Sequence, residues 1–150
     1  MFDVDLHTKT SIESLLNSYE SFEVAFAQPD ENNPFSFKMY GMEKYVISSS
    51  LEQTGLNKTE IITDDIVDTI RSSKATEGKG ILVNGSGTIE QFLLQNNLVD
   101  EIQLLMNPTI MGNGRQLFTY FGERKNMELL HVQRFASGIL ALRYRVHAGE

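Results

Sequence analysis

Residues 84–88, Asn-Gly-Ser-Gly-Thr, stand between a β-branched run, Gly80-Ile81-Leu82-Val83, and a helical pattern that runs to Asn96-Asn97. A strand that turns through glycine into a helix presents the first helical N–H groups, which have no partner inside the helix. The helix dipole adds partial positive charge at the same place. Gly85 and Gly87 would let a pyrophosphate approach the backbone, and Ser86 and Thr88 supply hydroxyl donors. The other reading is plainer: Ser86 or Thr88 only caps the helix, with Glu90 in its first turn. The segment is neither a Walker sequence nor a GxGxxG fingerprint, so on its own it leaves both readings open.

A second candidate is "NPTIMGNGRQLF", residues 107–118. Pro108 ends a strand pattern, and Gly112-Asn113-Gly114 makes a turn that presents Arg115. A guanidinium there can hold a phosphate or carboxylate through two parallel hydrogen bonds, or it can simply be solvated. Asp100 and Glu101 look like paired acids, but adjacent residues entering a strand point to opposite faces, so a structural role is expected. His7, His131 and His147 have no ligand spacing, and no metal site is expected. No GxSxG or other Ser-His-Asp signature occurs.

The elements that must position these residues follow from periodicity. Ile12, Leu15, Leu16 and Tyr19 predict a helix over 10–20, and "EVAFA" at 23–27 predicts a strand. Residues 27–37, with Pro29, Pro34 and Asn32-Asn33, predict a loop. Strands are expected over 43–51, running out into Ser48-Ser49-Ser50, and over 59–63. Residues 64–74 predict a helix with acids at its start and Arg71 and Lys74 at its end, as the dipole favours. "GILV" at 80–83 reads as a central buried strand, 87–97 as a helix and 100–108 as a strand. Two alternating runs separated by Ala136-Ser137-Gly138 predict a hairpin. Strands alternating with helices and closed by that hairpin predict a three-layer α/β/α domain with a mixed sheet. Ligands of open α/β sheets sit beyond the carboxyl ends of the strands.

The chain has 150 residues, 41% of them hydrophobic and 22% charged, which suits one domain with a proper core. A net charge of −7 makes nucleic acid a poor partner, while a small anion bound by local donors stays open. The absence of cysteine excludes disulfides, thiolate metal sites and thiol catalysis. The first ten residues have no apolar core of a signal peptide, and no apolar run is long enough to cross a bilayer. A cytoplasmic protein that does not enter membranes is expected.

Taken together, "ILVNGSGTIEQFLLQNNLVDEIQLLMNPTIMGNGRQLF" resembles the dihydrofolate reductase-like superfamily, and within it the riboflavin-biosynthesis reductases of the RibD C-terminal type. Leu98, Val99, Asp100, Glu101, Pro108, Gly112, Gly114, Leu117 and Phe118 fall in the order and spacing of that branch. "KYVISSSL" looks like its strand ending in Ser-Arg-Thr-Leu, and good resemblance covers about residues 43–147. The resemblance implies a mixed-sheet fold that binds NADPH, usually as a homodimer, and reduces a pterin or a phosphoribosylamino-pyrimidinone. The cofactor phosphates would fall to Asn84, Gly85, Ser86, Gly87 and Thr88, and the adenosine side to Ser48, Ser49 and Ser50. Arg115 would help bind an anionic group of a small heterocyclic substrate.

The chain departs from that pattern in four places. The opening "SLDG" strand, which brings an acid to the substrate, has no counterpart, so the sequence reads as one N-terminally shortened domain with no identifiable proton donor. His7-Thr8 stands where Gly-Arg is expected, Asn84 replaces the first glycine of the turn, and Ser49 stands where an arginine is common. Two readings follow. One is an NADPH-dependent reductase; the other is a catalytically degenerate relative kept as a nucleotide-binding or protein-interaction module. An upstream start that restores the first strand would favour the first.

Overall fold

A computed structural model of the chain describes residues 2–3, 22–25, 27–78, 80–83, 87–114, 116–118, 122 and 124–148. The contacts divide the chain into two units, Met1–Glu90 and Gln91–Glu150.

The first unit holds a parallel sheet of β1 (Phe2–Asp3), β2 (Lys44–Ile47) and β3 (Thr59–Ile62), in that order. Phe2 pairs with Val46 and Lys44 with Thr59, so the carboxyl ends of all three strands lie on one edge. Val46 and Ile47 are fully buried, as β-branched residues of a central strand should be. Helix α1 (Pro34–Gly41) begins at Asn33, whose Oδ1 accepts from the N–H groups of Phe35 (3.1 Å) and Ser36 (3.2 Å). Pro34 follows at the first helical position, where its missing N–H costs nothing. Helix α2 (Ile66–Ala75) follows β3, and its Ser73 hydroxyl donates to the Tyr45 hydroxyl on β2. Phe22, Met39, Val46 and Leu56 form the buried cluster of this unit, with Met42, Leu51 and Ile61 packed against it.

Helix α3 (Gly87–Gln95) buries Ile89, Leu93 and Leu94, one stripe at helical spacing. It ends in a Schellman motif: Leu98 N–H donates to Leu93 O (2.9 Å) and Asn97 N–H to Leu94 O (3.2 Å). Asn97 takes the left-handed conformation that this ending requires, with φ 55°.

The second unit carries an antiparallel sheet of β4 (Glu101–Met106), β5 (Met127–Arg134) and β6 (Leu140–Val146), with β6 in the middle. Its register separates two faces. Glu101, Gln103, Arg143, Arg145, Glu128, His131 and Gln133 fall on one; Ile102, Leu104, Leu142, Tyr144, Leu129 and Val132 fall on the other. An extra residue on β5 between Leu129 and His131 keeps that alternation in step across a bulge. Arg145 bonds Glu128 at 2.9 Å and Arg143 lies 3.6 Å from Glu101, both across strands on the polar face. The hairpin turns through Ala136-Ser137-Gly138, closed by Phe135 N–H to Ile139 O (2.9 Å) and Gly138 N–H to Phe135 O (3.0 Å). Gly138 has φ 87°, the left-handed position of a three-residue hairpin loop.

The α/β class and the closing hairpin agree with expectation, and three local expectations do not. Residues 22–25 are helical rather than a strand: Ala27 N–H donates to Glu23 O, Phe22 is buried and Val24 is 87% exposed. Alternation of period two would not expose Val24 in this way, and the Glu23 carboxylate instead accepts from Gly55 N–H, tying this turn to the β2–β3 connection. The loop expected over 27–37 closes in helix α1, started by its own Asn-Pro pair. Residues 80–83 are not in a strand, and Ile81 and Leu82 are exposed, which a central buried strand would not allow. The described strands combine parallel pairing (β1-β2-β3) with antiparallel pairing (β4-β6-β5), as a mixed α/β architecture requires. Conversely, the short strand β1 was not expected at all. The helix expected over 10–20 lies outside the described residues.

Candidate functional site

The carboxyl edge of the parallel sheet is where an open α/β sheet receives a ligand. Strand β2 ends there in Ser48. Its side chain is buried and its N–H donates to Ile62 O of β3 (3.1 Å), which extends the ladder by one residue. Its Oγ accepts from the N–H groups of Ser50 (3.2 Å) and Leu51 (3.0 Å). A hydroxyl that satisfies two successive backbone donors forms a side-chain turn, and this one bends the chain out of the strand. Ser49 and Ser50 are therefore held exposed at the sheet edge. Of the three expected adenosine-side residues, Ser48 shapes the turn, and the other two present hydroxyls to solvent.

Strand β3 ends beside it. Thr63, Asp64 and Asp65 follow Ile62, all exposed. Asp65 precedes helix α2 in the left-handed conformation, φ 46°, and its side chain makes no capping bond to that helix. The sequence placed these two acids in the first helical turn; the helix starts two residues later, at Ile66, and the acids precede it at the strand exit. The signal was present, since two acids directly follow the run "TEIIT".

Of the expected phosphate-side residues, Gly87 and Thr88 begin helix α3, with Thr88 half-buried. Asn84, Gly85, Ser86 and Arg115 lie outside the described residues. Beyond β4, the chain passes through Pro108 into a bend at Gly112-Asn113. Glu101 pairs with Arg143, and the main-chain O of Asp100 accepts from Val146 N–H (2.8 Å). Among the described residues, no three metal-ligating side chains cluster, and no helix is long and apolar enough to cross a membrane.

The opposite edge of the parallel sheet holds a buried charge that periodicity did not single out. Lys44 opens β2 at 3% exposure, and its Nζ donates to the carbonyls of Met42 (2.8 Å), Asn57 (2.9 Å) and Tyr40 (3.0 Å). The ammonium has three donors and all three are used. Burial, and then the charge of Lys58, lower its pKa from the ordinary lysine value. Lys58 itself donates to Gly41 O (3.3 Å), so both lysines serve the last carbonyls of α1 and its exit.

The carboxyl edge presents the exposed hydroxyls of Ser49 and Ser50, which suit a ribose in kind. A parallel sheet of this kind, with an antiparallel hairpin closing the chain, is an α/β fold of the dihydrofolate reductase-like type. The model of the RibD C-terminal domain matches residues 17–141, and the chain belongs to that family. It is similar to the uncharacterized protein YyaP of Bacillus subtilis (strain 168), at 27% identity over 116 residues, 77% of this chain. The chain spans about three fifths of that relative, 61% of its length. Its fold matches a crystal structure from Shewanella sp. PV-4, of a protein assigned by its name to riboflavin biosynthesis. That match has a TM-score of 0.61 at 18% identity, over 93% of this chain and 71% of the other.

Proposed function

We propose that the chain is a reductase that transfers hydride from a nicotinamide dinucleotide, NADPH in the form the resemblance implies, to a pterin- or pyrimidine-type heterocycle. Membership of the RibD C-terminal domain family carries the proposal. Two local features support it: the Ser48 turn holds Ser49 and Ser50 outward at the carboxyl edge, available to an adenosine ribose, and, separately, Thr88 stands in the first turn of a helix. A bound nicotinamide supplies the hydride, and this chain's residues bind and orient. Ser49 and Ser50 would hold the ribose hydroxyls, the 85–88 backbone the pyrophosphate, and Arg115 an anionic group on the heterocycle. No described residue stands out as the proton donor, and solvent is the simplest source of that proton.

Calorimetric titration with NADPH and NADH tests the reading. Binding that Gly85→Val or Thr88→Ala weakens supports it, and no heat with either dinucleotide at millimolar concentration overturns it. Binding without oxidation of the dinucleotide, across a panel of dihydropterins and aminopyrimidinones, favours the degenerate nucleotide-binding relative. The family likeness also leads us to propose a homodimer acting outside the membrane. A monomer mass by light scattering at micromolar concentration would refute the dimer.

A further inference from the structure

The two strand exits at the carboxyl edge differ in charge from what a phosphorylated ribose requires. Ser48 N–H bonds Ile62 O, so the exit of β2 and the exit of β3 are adjacent along the ladder. The first exit presents Ser49, Ser50 and Glu52, and the second presents Asp64 and Asp65, all exposed. The cations of this strand pair are at the other end. Lys44 is paired with Thr59 at the amino ends of the strands, and Lys58 immediately precedes Thr59. Four residues of strand separate the two edges, roughly 10 Å at the rise of a β-strand. That is about one Debye length at 0.1 M salt, so the lysines do little for an anion at the carboxyl edge. Within the connections 48–57 and 63–65 there is no cation at all.

A ribose with a free 2′-hydroxyl is recognised by a carboxylate that accepts its hydrogen bond, whereas a 2′-phosphate needs an arginine or lysine. A carboxylate placed near a 2′-phosphate repels it. We propose that Asp64 and Asp65, exposed where β3 exits beside the β2 exit that presents Ser49 and Ser50, make this chain select NADH over NADPH. The inference rests on the dinucleotide reading and changes its form: the 2′-phosphorylated cofactor implied by the resemblance is the one this edge disfavours. Ser49 is the position at which a single arginine would restore a phosphate partner.

The test is a pair of calorimetric titrations of the full chain, with NADH and with NADPH, at low and at high salt. NADH is expected to bind at least about tenfold more tightly, about 1.4 kcal/mol, at low salt. The ratio should narrow as salt screens the carboxylates. Asp64→Asn with Asp65→Asn, or Ser49→Arg alone, should weaken NADH binding and raise NADPH affinity severalfold, so that the preference narrows or reverses. Unchanged urea midpoints would establish that these variants fold. NADPH binding as tightly as NADH, or a preference for NADH that neither the variants nor salt alter, overturns the inference and leaves the dinucleotide reading standing. Binding of neither form overturns both.

Discussion

The ammonium of Lys44 lies 2.9 Å from the carbonyl oxygen of Asn57, thirteen residues along the chain, and bonds the carbonyls of Tyr40 and Met42 as well. One side chain thus joins the end of α1, the start of β2 and the approach to β3. Lys44→Met keeps the apolar stem and removes the charge and all three donors. The carbonyls remain, without the donor they were built around. A loss of about 2–4 kcal/mol is expected, because a buried acceptor stripped of a charged partner bears its full desolvation cost. Urea unfolding measures it; a loss under about 0.5 kcal/mol would mean that water replaces the ammonium.

The same lysine gives stability a particular pH dependence. Burial and the Lys58 charge lower its folded pKa, while the unfolded chain titrates at about 10.4. Between those two values the unfolded state binds more protons than the folded one, so the Lys44 contribution to stability rises with pH. Below the folded pKa both states are protonated and the contribution is flat. The stability difference between wild type and Lys44→Met should therefore widen as pH climbs toward about 10.4. Lys58→Gln removes the second cause and should move the onset of that rise to higher pH. A difference that shrinks with alkalinity would show that the three carbonyls hold the proton more strongly than burial expels it.

Ser48 and Ser49 separate shaping from binding. Ser48→Ala removes the acceptor for two backbone N–H groups in a buried turn and is expected to cost about 1–2 kcal/mol. Ser49→Ala touches an exposed side chain and should leave stability within about 0.5 kcal/mol. Under the proposed function, Ser49→Ala should nonetheless weaken dinucleotide binding. Urea midpoints and calorimetry on the two variants decide it. A Ser49 variant as tight as wild type would place the ribose elsewhere.

These positions show how far the sequence carries. Strands β2, β3 and β4, helices α2 and α3 and the hairpin were legible because periodicity, caps and turn residues agree locally. Asn97 is an example: an asparagine after an apolar helical stripe ends the helix in the left-handed turn that Asn tolerates. Phe22 to Ala25 and Gly80 to Val83 were misread because a short apolar run does not say whether a neighbouring strand is there to pair with it. The candidate site was legible in part. The Ser48–Ser50 run was visible as chemistry, but only the fold sets Asp64 and Asp65 beside it. Lys44 was invisible, since nothing in its spacing marks a strand lysine as buried; three carbonyls gathered from separate segments do that.

Gly138 offers the sharpest local test of the hairpin. Its φ of 87° lies where side chains are rarely tolerated, and a Cβ added there would stand 3.2 Å from Cγ of Pro108. Two penalties therefore act on one substitution. The left-handed backbone costs an ordinary residue about 1–2 kcal/mol, and Asn or Asp less. The Pro108 contact acts on any Cβ, because the proline ring is fixed to the backbone just past β4 and has little room to yield. Gly138→Ala should thus destabilise by more than the backbone term alone, and Gly138→Asn should recover only the backbone share of the loss. Combining Gly138→Ala with Pro108→Ala removes the opposing Cγ and should restore part of the stability, a non-additive pair in a double-mutant cycle. Thermal unfolding of Gly138→Ala, Gly138→Asn, Pro108→Ala and the double variant checks this, and strict additivity would mean that the two residues do not touch.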